Sequence, residues 1–89
     1  MEVTVNYTTQ LKAALGRANE VVEISDGDTV LDAVKKIATK DVAAFDQYVL
    51  SDGKPLPSML VSVNDKQVAF NAKLKSGDQV TLLSAISGG

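Results

Sequence analysis

The sequence predicts an α+β domain in which one principal helix packs across a mixed sheet of about four to five strands. Three patterns support this prediction: an alternating apolar segment at the start of the chain, a strongly amphipathic helical segment in the first half, and several short alternating segments in the second half. Since the chain has only 89 residues, residues 1–89 are expected to form a single domain. A chain this short has little room for a deep cavity, so function is expected at its surface.

The N-terminal segment is predicted to form two strands joined by a short connection. Apolar and polar residues alternate from Glu2 to Thr8, which is the period of a strand with one buried face. Residues 10–17 fit either a short helical turn or a structured loop. Residues 20–25 resume the alternation with Val22 and Ile24 inward, and the short connection favours an antiparallel hairpin.

The principal helix is predicted after a turn at residues 25–28, where Thr29 can cap the first helical turn. Its inward stripe consists of Val30, Ala33, Val34 and Ile37. Lysines near its end and aspartates near its start suit the helix macrodipole. The lysines, which are Lys35, Lys36 and Lys40, are interpreted as a solvated helix face.

A shorter helix and a surface loop are predicted next. Val42, Phe45 and Val49 follow a helical spacing within residues 41–50, which indicates a second helix. The turn-forming residues of 51–57 indicate a surface loop.

Three further strands are predicted at residues 59–64, 67–69 and 79–84. Their inward residues are Val61, Val63, Val80 and Leu82. Because side chains alternate across a strand, Leu60 and Leu83 then face outward, where they are candidate contacts for a partner protein. This order of elements suits a β-grasp, although spacing alone leaves the order of strands within the sheet open.

The composition excludes several classes of function. The chain is 45% hydrophobic and 22% charged, as expected for a soluble globular domain, and no apolar run approaches the roughly 20 residues of a membrane-spanning helix. The first residues lack the pattern of a secretory signal, so a cytoplasmic location is expected. A net charge of -2 disfavours binding to nucleic acid.

The absence of cysteine and histidine disfavours catalysis by this chain. No histidine is available as a general base or metal ligand, and no cysteine thiol is available to carry sulfur or hold zinc. We therefore expect a protein that is not an enzyme and that holds neither metal nor cofactor.

The whole chain resembles the ubiquitin-like sulfur carriers, a β-grasp family. Its members include the thiamine-pathway carrier, the small subunit of molybdopterin synthase, the carrier for cysteine biosynthesis and carriers for tRNA thiolation. The resemblance rests on the N-terminal strand, on Thr29-Val30 at the start of the main helix, and on the closing run that contains Leu74, the Gly77-Asp78 turn, the last strand and the terminal Gly88-Gly89.

The resemblance implies that the chemistry takes place at the C-terminal carboxylate of Gly89. Without Cβ atoms, Gly88 and Gly89 can pass through a narrow channel into a partner's active site. There the ionised carboxylate would attack the α-phosphate of ATP. The resemblance further implies that the acyl-adenylate becomes a thiocarboxylate. ATP would belong to the partner, a ubiquitin-activating-type adenylyltransferase. The sulfur would pass to a biosynthetic enzyme or to the large subunit of a synthase.

The functional tail is predicted to span residues 84–89. Ile86 is apolar and is expected to pack against the activating enzyme, with the alternative that it folds back on its own sheet. The partner-binding residues are predicted to be Leu60, Leu83, Ala85, Ile86 and Ser87. Ser84-Ala85 stands where many molybdopterin-synthase small subunits have a Pro-Pro-type stretch, which favours the thiamine-type or cysteine-type carriers.

Three other hypotheses remain open from the sequence. The chain could be a ubiquitin-like modifier joined through Gly89 to lysines on target proteins, or the small subunit of molybdopterin synthase. It could also be a plain β-grasp interaction module whose terminal glycines are incidental. The sequence leaves open the pathway, the source of sulfur and the oligomeric state.

Overall fold

The computed structural model describes residues 1–84, except for the side chains of Thr9, Gln10, Tyr48 and Ser84. These residues form seven strands and three helices. In chain order the elements are β1 (Glu2–Tyr7), α1 (Thr9–Leu15), β2 (Asn19–Glu23), α2 (Val30–Ala38), α3 (Val42–Tyr48), β3 (Leu50–Ser51), β4 (Lys54–Pro55), β5 (Met59–Val63), β6 (Lys66–Val68) and β7 (Gln79–Ser84).

The main sheet within residues 1–84 has five strands in the order β2-β1-β7-β5-β6. Two of its three inner strands, β1 and β7, come from opposite ends of the described chain and run parallel, while the other neighbouring pairs are antiparallel. The predicted hairpin is the β1–β2 pair. Parallel neighbours need a crossover connection, and here the crossover comprises every element between β1 and β7.

Helix α2 is the predicted principal helix. Thr29 and Asp32 form a capping box, because the Asp32 N–H donates to Thr29 Oγ1 at 3.2 Å and the Thr29 N–H donates to Asp32 Oδ2 at 2.9 Å. The predicted inward stripe is confirmed, since Val30, Ala33, Val34 and Ile37 are all buried.

Two shorter helices flank this arrangement. The segment 10–17, for which helix and loop were both open, forms α1, which ends where Gly16 takes a φ of 73°. In α3, Phe45 is fully buried and its ring meets that of Tyr7 edge-on, with centroids 6.4 Å apart. Val42, at the start of α3, is 57% exposed. Val49 lies just after the end of α3, so the helical spacing does not extend to it. Its backbone is not helical, and its side chain is fully buried.

The predicted surface loop at 51–57 contains a short hairpin instead. Strands β3 and β4 pair through a two-residue turn at Asp52-Gly53, and both turn residues have positive φ, at 53° and 75°. This combination defines the type I′ turn that Asp-Gly favours, because it matches the twist of a hairpin. The Asp-Gly dipeptide was therefore a hairpin signal.

The hydrophobic core lies between the inner face of the main sheet and the helices. The predicted inward residues Val61, Val80 and Leu82 are buried, whereas Val63 near the sheet edge is only half-buried. Among the side chains that the structure describes, no buried nitrogen or oxygen lacks a hydrogen-bond partner. None of the helices described in this range has both the length and the apolar character needed to cross a membrane.

Candidate docking face and base of the tail

The structure describes two of the predicted site residues, Leu60 and Leu83. The other members of the predicted site lie outside the described residues: Ala85, Ile86, Ser87, Gly88 and Gly89. The structure therefore describes the sheet surface around β7, the strand that precedes the predicted tail. The roles assigned to residues 85–89 stay predictions.

Leu60 and Leu83 lie directly opposite each other on the antiparallel strands β5 and β7. Leu83 is 36% exposed and Leu60 is half-buried, while their chain neighbours Met59, Val61 and Leu82 are buried. The prediction that both leucines face outward is confirmed. Opposed side chains of an antiparallel pair are close enough to contact each other, so the two leucines form one apolar surface next to the last described residue of β7.

The outer face of the sheet beside the leucine pair is polar but uncharged. One row of directly opposed residues crosses all five strands, as shown by the strand registers. From β2 to β6 the row consists of Asn19, Asn6, Thr81, Ser62 and Gln67. Docking against this row would remove no charge from water, which lowers the desolvation cost of a protein contact.

The turn before β7 fixes that strand against its neighbours. Gly77 has a φ of 85° and its N–H donates to the Glu2 carbonyl at 2.7 Å. The Asp78 carboxylate accepts from the Lys75 N–H at 2.8 Å and from Asn64 Nδ2 at 3.0 Å. The Gly-Asp turn therefore ties β7 to β1 and to the β5–β6 turn.

The other end of β7 is held by a side chain from the opposite half of the chain. Thr8, which precedes α1, donates its hydroxyl to the Leu82 carbonyl at 2.8 Å. This contact joins residues 74 positions apart. The strand that leads to the tail is thus anchored at its start by Asp78 and near its end by Thr8.

An ion-pair cluster that the sequence analysis missed joins β2 to α3. Arg17 donates to Glu20 Oε2 and to Asp41 Oδ2, both at 2.6 Å, and its guanidinium lies 5.7 Å from the centre of the Tyr7 ring. Burial raises the pKa of Tyr7 far above its ordinary value, and the hydrogen bond of its hydroxyl to Glu20 adds to the increase. The hydrogen bonds to Asp41 and Glu20 raise the pKa of Arg17.

This cluster has a structural role. Its charges are paired, and it connects elements rather than lining the outer sheet face. Asp41 is 24 residues from Arg17, so no local spacing in the sequence signals the contact. Among the described residues, no group of three or more acidic side chains is arranged to hold a metal ion. The expectation that the chain binds no metal or cofactor stays a prediction.

The mixed five-stranded sheet with one parallel pair of inner strands and a crossing helix defines a β-grasp, ubiquitin-like protein. The sequence matches the ThiS family over residues 5–89. The chain belongs to this family, and therefore to the ubiquitin-like sulfur carriers and modifiers. No match is found among curated proteins.

Solved structures support the same fold over nearly the whole chain. SAMP1 from Haloferax volcanii is 21% identical, with a TM-score of 0.88 and coverage of 100% of both chains. A chain of the BexX/CysO complex from Amycolatopsis orientalis is 28% identical, with a TM-score of 0.77 and coverage of 98% of this chain and 99% of that chain. The putative molybdopterin converting factor subunit 1 from Pyrococcus furiosus is 24% identical, with a TM-score of 0.78 and coverage of 97% and 99%.

Proposed function

We propose that this protein is a sulfur carrier whose cargo is attached at the C-terminal carboxylate of Gly89. In the first step the carboxylate attacks the α-phosphate of ATP on a ubiquitin-activating-type enzyme, forming an acyl-adenylate and releasing pyrophosphate. In the second step hydrosulfide attacks the acyl carbon and displaces AMP, which leaves a thiocarboxylate. The thiocarboxylate then gives its sulfur to a biosynthetic enzyme in the cytoplasm. The catalytic groups and ATP belong to the partners.

The observation that carries this proposal is the family match, which extends through Gly89 itself. The residue types of the chain point the same way, because neither cysteine nor histidine is present to carry sulfur or to act as a base. The terminal carboxylate can serve as a carrier group without help from this chain's side chains. The match covers residues 5–89, which favours a single carrier domain with a functional tail at 84–89.

Partner docking is proposed to use the leucine pair together with the uncharged polar row. Leu60 and Leu83 provide apolar area near the base of the tail, so a partner that covers them also lies close to the chain segment that it must receive. The polar row adds contact area without a charged group to desolvate. In this proposal Ala85, Ile86 and Ser87 continue the contact along the tail.

The mass of the intact protein tests the carrier chemistry. The chain is expressed with a ubiquitin-activating-type partner and a sulfur source, and its mass is compared with that of a chain shortened by removal of Gly89. A carrier shows exchange of one oxygen for one sulfur in the full chain only. Diglycine remnants on lysines of other proteins would support a modifier instead. A full chain with neither product would overturn the proposal.

A charge substitution tests the docking face. Leu83→Asp places a carboxylate within the apolar contact, and we expect it to raise the Kd for the activating partner about tenfold, equivalent to about 1.4 kcal/mol. Val42→Asp is the matched control, since Val42 is 57% exposed on α3 and the chemical change is similar. Equal Kd values for wild type and Leu83→Asp, measured by calorimetry with both variants folded, would refute this docking surface.

A further inference from the structure

Thr8 departs from the usual role of a threonine at the start of a helix. It is the N-cap residue of α1, and its backbone is extended, with φ of -124° and ψ of 155°. Threonine is favoured at an N-cap because its side-chain oxygen can accept a hydrogen bond from an N–H of the first helical turn. Within the part of the chain that the structure describes, Thr8 makes no such capping bond. Its hydroxyl instead donates to the Leu82 carbonyl of β7 at 2.8 Å.

The start of α2 shows what the same residue type does elsewhere in this chain. Thr29 also has extended backbone, and its hydroxyl oxygen accepts from the Asp32 N–H at 3.2 Å within the capping box. Both helices therefore begin at a threonine, but only the side chain of Thr29 caps its helix. Thr8 forgoes a stabilising local contact in favour of a distant one. Departures of this kind from a local preference are expected at functional sites.

The carbonyl of Thr8 is bonded to α1 rather than to the sheet. It accepts from the Leu11 N–H at 3.1 Å and from the Lys12 N–H at 3.3 Å, so the chain turns from strand to helix at this residue. The register between β1 and β7 accordingly ends one residue earlier, at the Tyr7–Leu82 pair. The hydroxyl bond of Thr8 therefore lies at the point where β1 leaves β7.

Strand β7 continues beyond this point beside β5. The register between these two strands extends through the Leu60–Leu83 pair to the Met59–Ser84 pair. The register with β1 includes neither Leu83 nor Ser84. The end of β7 is therefore held by β5 on one side, and on the other side it depends on the bond from the Thr8 hydroxyl.

The residue before Thr8 is held firmly in the core. Tyr7 is 4% exposed, its N–H donates to the Ala18 carbonyl at 2.8 Å, and its ring packs edge-on against that of Phe45. Its hydroxyl donates to the Glu20 carboxylate. Because its neighbour is fixed in this way, the Thr8 hydroxyl has a defined position from which it can fix the end of β7.

We propose that Thr8 is a positioning residue for the reaction at Gly89. Its hydroxyl bond keeps the end of β7 aligned with β1, and this alignment sets the direction in which the chain continues toward the terminal carboxylate. With the bond in place, a larger fraction of docked complexes presents the carboxylate to the partner's active site. This role rests on the proposed function, in which a partner adenylates Gly89. Thr8 itself touches neither ATP nor the reacting atoms.

Loss of the Thr8 hydroxyl should affect the reaction more than the docking. The Leu60–Leu83 pair of the docking face is held by the register of β5 and β7, which does not involve Thr8. The net contribution of one hydrogen bond corresponds to about a fivefold change in an equilibrium. The kcat for adenylation should therefore fall about fivefold, because fewer docked complexes are competent, while the KM for this protein stays within about twofold.

Exchange of labelled pyrophosphate into ATP tests the proposal. The full chain is the varied substrate of the ubiquitin-activating-type partner, and the label enters ATP only when the acyl-adenylate at Gly89 forms and reverts. Thr8→Val removes the hydroxyl and keeps the shape of the side chain, and valine suits the extended backbone at this position. Thr8→Ser retains the hydroxyl and should restore kcat to near the wild-type value.

Thr29→Val is the matched control. It makes the same chemical change at the other helix start, and it destabilises the fold because it removes the capping box. The hydrogen bonds described for Thr29 do not reach β7. At a temperature where all variants are folded, Thr29→Val should therefore have the kcat and KM of the wild type.

Nitrogen-15 relaxation of the free full chain shows where the effect arises. Order parameters of the Leu83 and Ser84 amides should be lower in Thr8→Val than in the wild type, because the end of β7 has lost one of its two supports. The amides of Gln79 and Val80, at the start of the same strand, should be unchanged. Thr29→Val should match the wild type at all four amides.

The outcomes distinguish the role of Thr8 from the function on which it rests. A wild-type chain that supports no exchange would overturn both. If the wild type supports exchange, an equal kcat for Thr8→Val, or an equal loss in Thr8→Val and Thr29→Val, would overturn only the role of Thr8. A higher KM with unchanged kcat would also overturn it, because Thr8 would then belong to the docking contact. So would a lower kcat with unchanged order parameters, because the hydroxyl would then act by touching the partner directly.

Discussion

Removing the Asp78 carboxylate should destabilise the fold mainly at the strand that leads to the tail. The carboxylate accepts hydrogen bonds from the Lys75 N–H at 2.8 Å and from Asn64 Nδ2 at 3.0 Å. Both bonds are exposed, so each is expected to contribute to stability in the lower part of the usual range of about 0.5–1.5 kcal/mol for one hydrogen bond. Asp78→Ala should therefore lower the free energy of unfolding by about 1–2 kcal/mol.

The assay for this prediction is unfolding by urea and by heat. For a domain of this size, 1 kcal/mol corresponds to a change in Tm of about 4–8 °C, so Asp78→Ala should lower the Tm by about 4–16 °C. Asp78→Asn retains one oxygen acceptor, so its Tm should fall roughly half as far as that of Asp78→Ala. Asp46→Ala is the control, because Asp46 is exposed on α3 and makes no hydrogen bond or ion pair among the described contacts.

Hydrogen exchange shows whether the effect arises where the structure places it. The Thr4 N–H donates to the Asp78 carbonyl at 3.0 Å, and the Gly77 N–H donates to the Glu2 carbonyl at 2.7 Å. Both amides should exchange faster in Asp78→Ala, while the amides of α2 should change less. An Asp78→Ala variant within about 0.3 kcal/mol of wild type, with unchanged exchange at these two amides, would refute the assigned role of the turn.

Three further predictions concern the body of the domain. Thr29→Ala should lower the free energy of unfolding by about 1 kcal/mol because α2 loses its capping box, and Thr29→Ser should restore most of it in the same urea assay. Phe45→Ala should lower the free energy of unfolding by about 3–5 kcal/mol, whereas Val42→Ala on the same helix should change it little. Thermal melts of the two variants measure this difference. The pKa of Asp28 is lowered by the Ser25 backbone N–H and then by Lys36, so its contribution to stability is present above the unfolded pKa and is lost as the pH falls through the folded value. The urea midpoint of wild type should therefore be higher than that of Asp28→Asn at pH 7. A difference between the two midpoints that does not narrow below about pH 4 would contradict this assignment.

Most of the secondary structure could be predicted because it depends on local patterns. The period of two in β1 and the period of 3.6 in α2 require only neighbouring residues, and both are confirmed with their inward sides correct. The failures occurred where the local pattern was ambiguous. Val42 and Val49 matched a helical period that the chain does not sustain, and Asp52-Gly53 was interpreted as a loop although it forms a hairpin turn.

The candidate site was predictable only in part. The alternation of β5 and β7 predicts that Leu60 and Leu83 face outward, but their direct opposition depends on the register between two strands that are separated along the chain. The uncharged row across the outer face and the open edge of β2 depend on the strand order in the same way. Nothing in the local sequence determines which strands lie at the edges of the sheet.

The sequence alone determined most of the helices and strands and the inward stripe of the principal helix, since these follow from residue types and short-range spacing. Only the tertiary structure decided which side chains from distant parts of the chain meet and which strands lie at the edges of the main sheet. It joined Thr8 to Leu82, Arg17 to Asp41 and Asn64 to Asp78, and it left β2 at an edge. These arrangements come from pairing between distant segments, whose energies depend on the complete packed sheet rather than on any local window of residues.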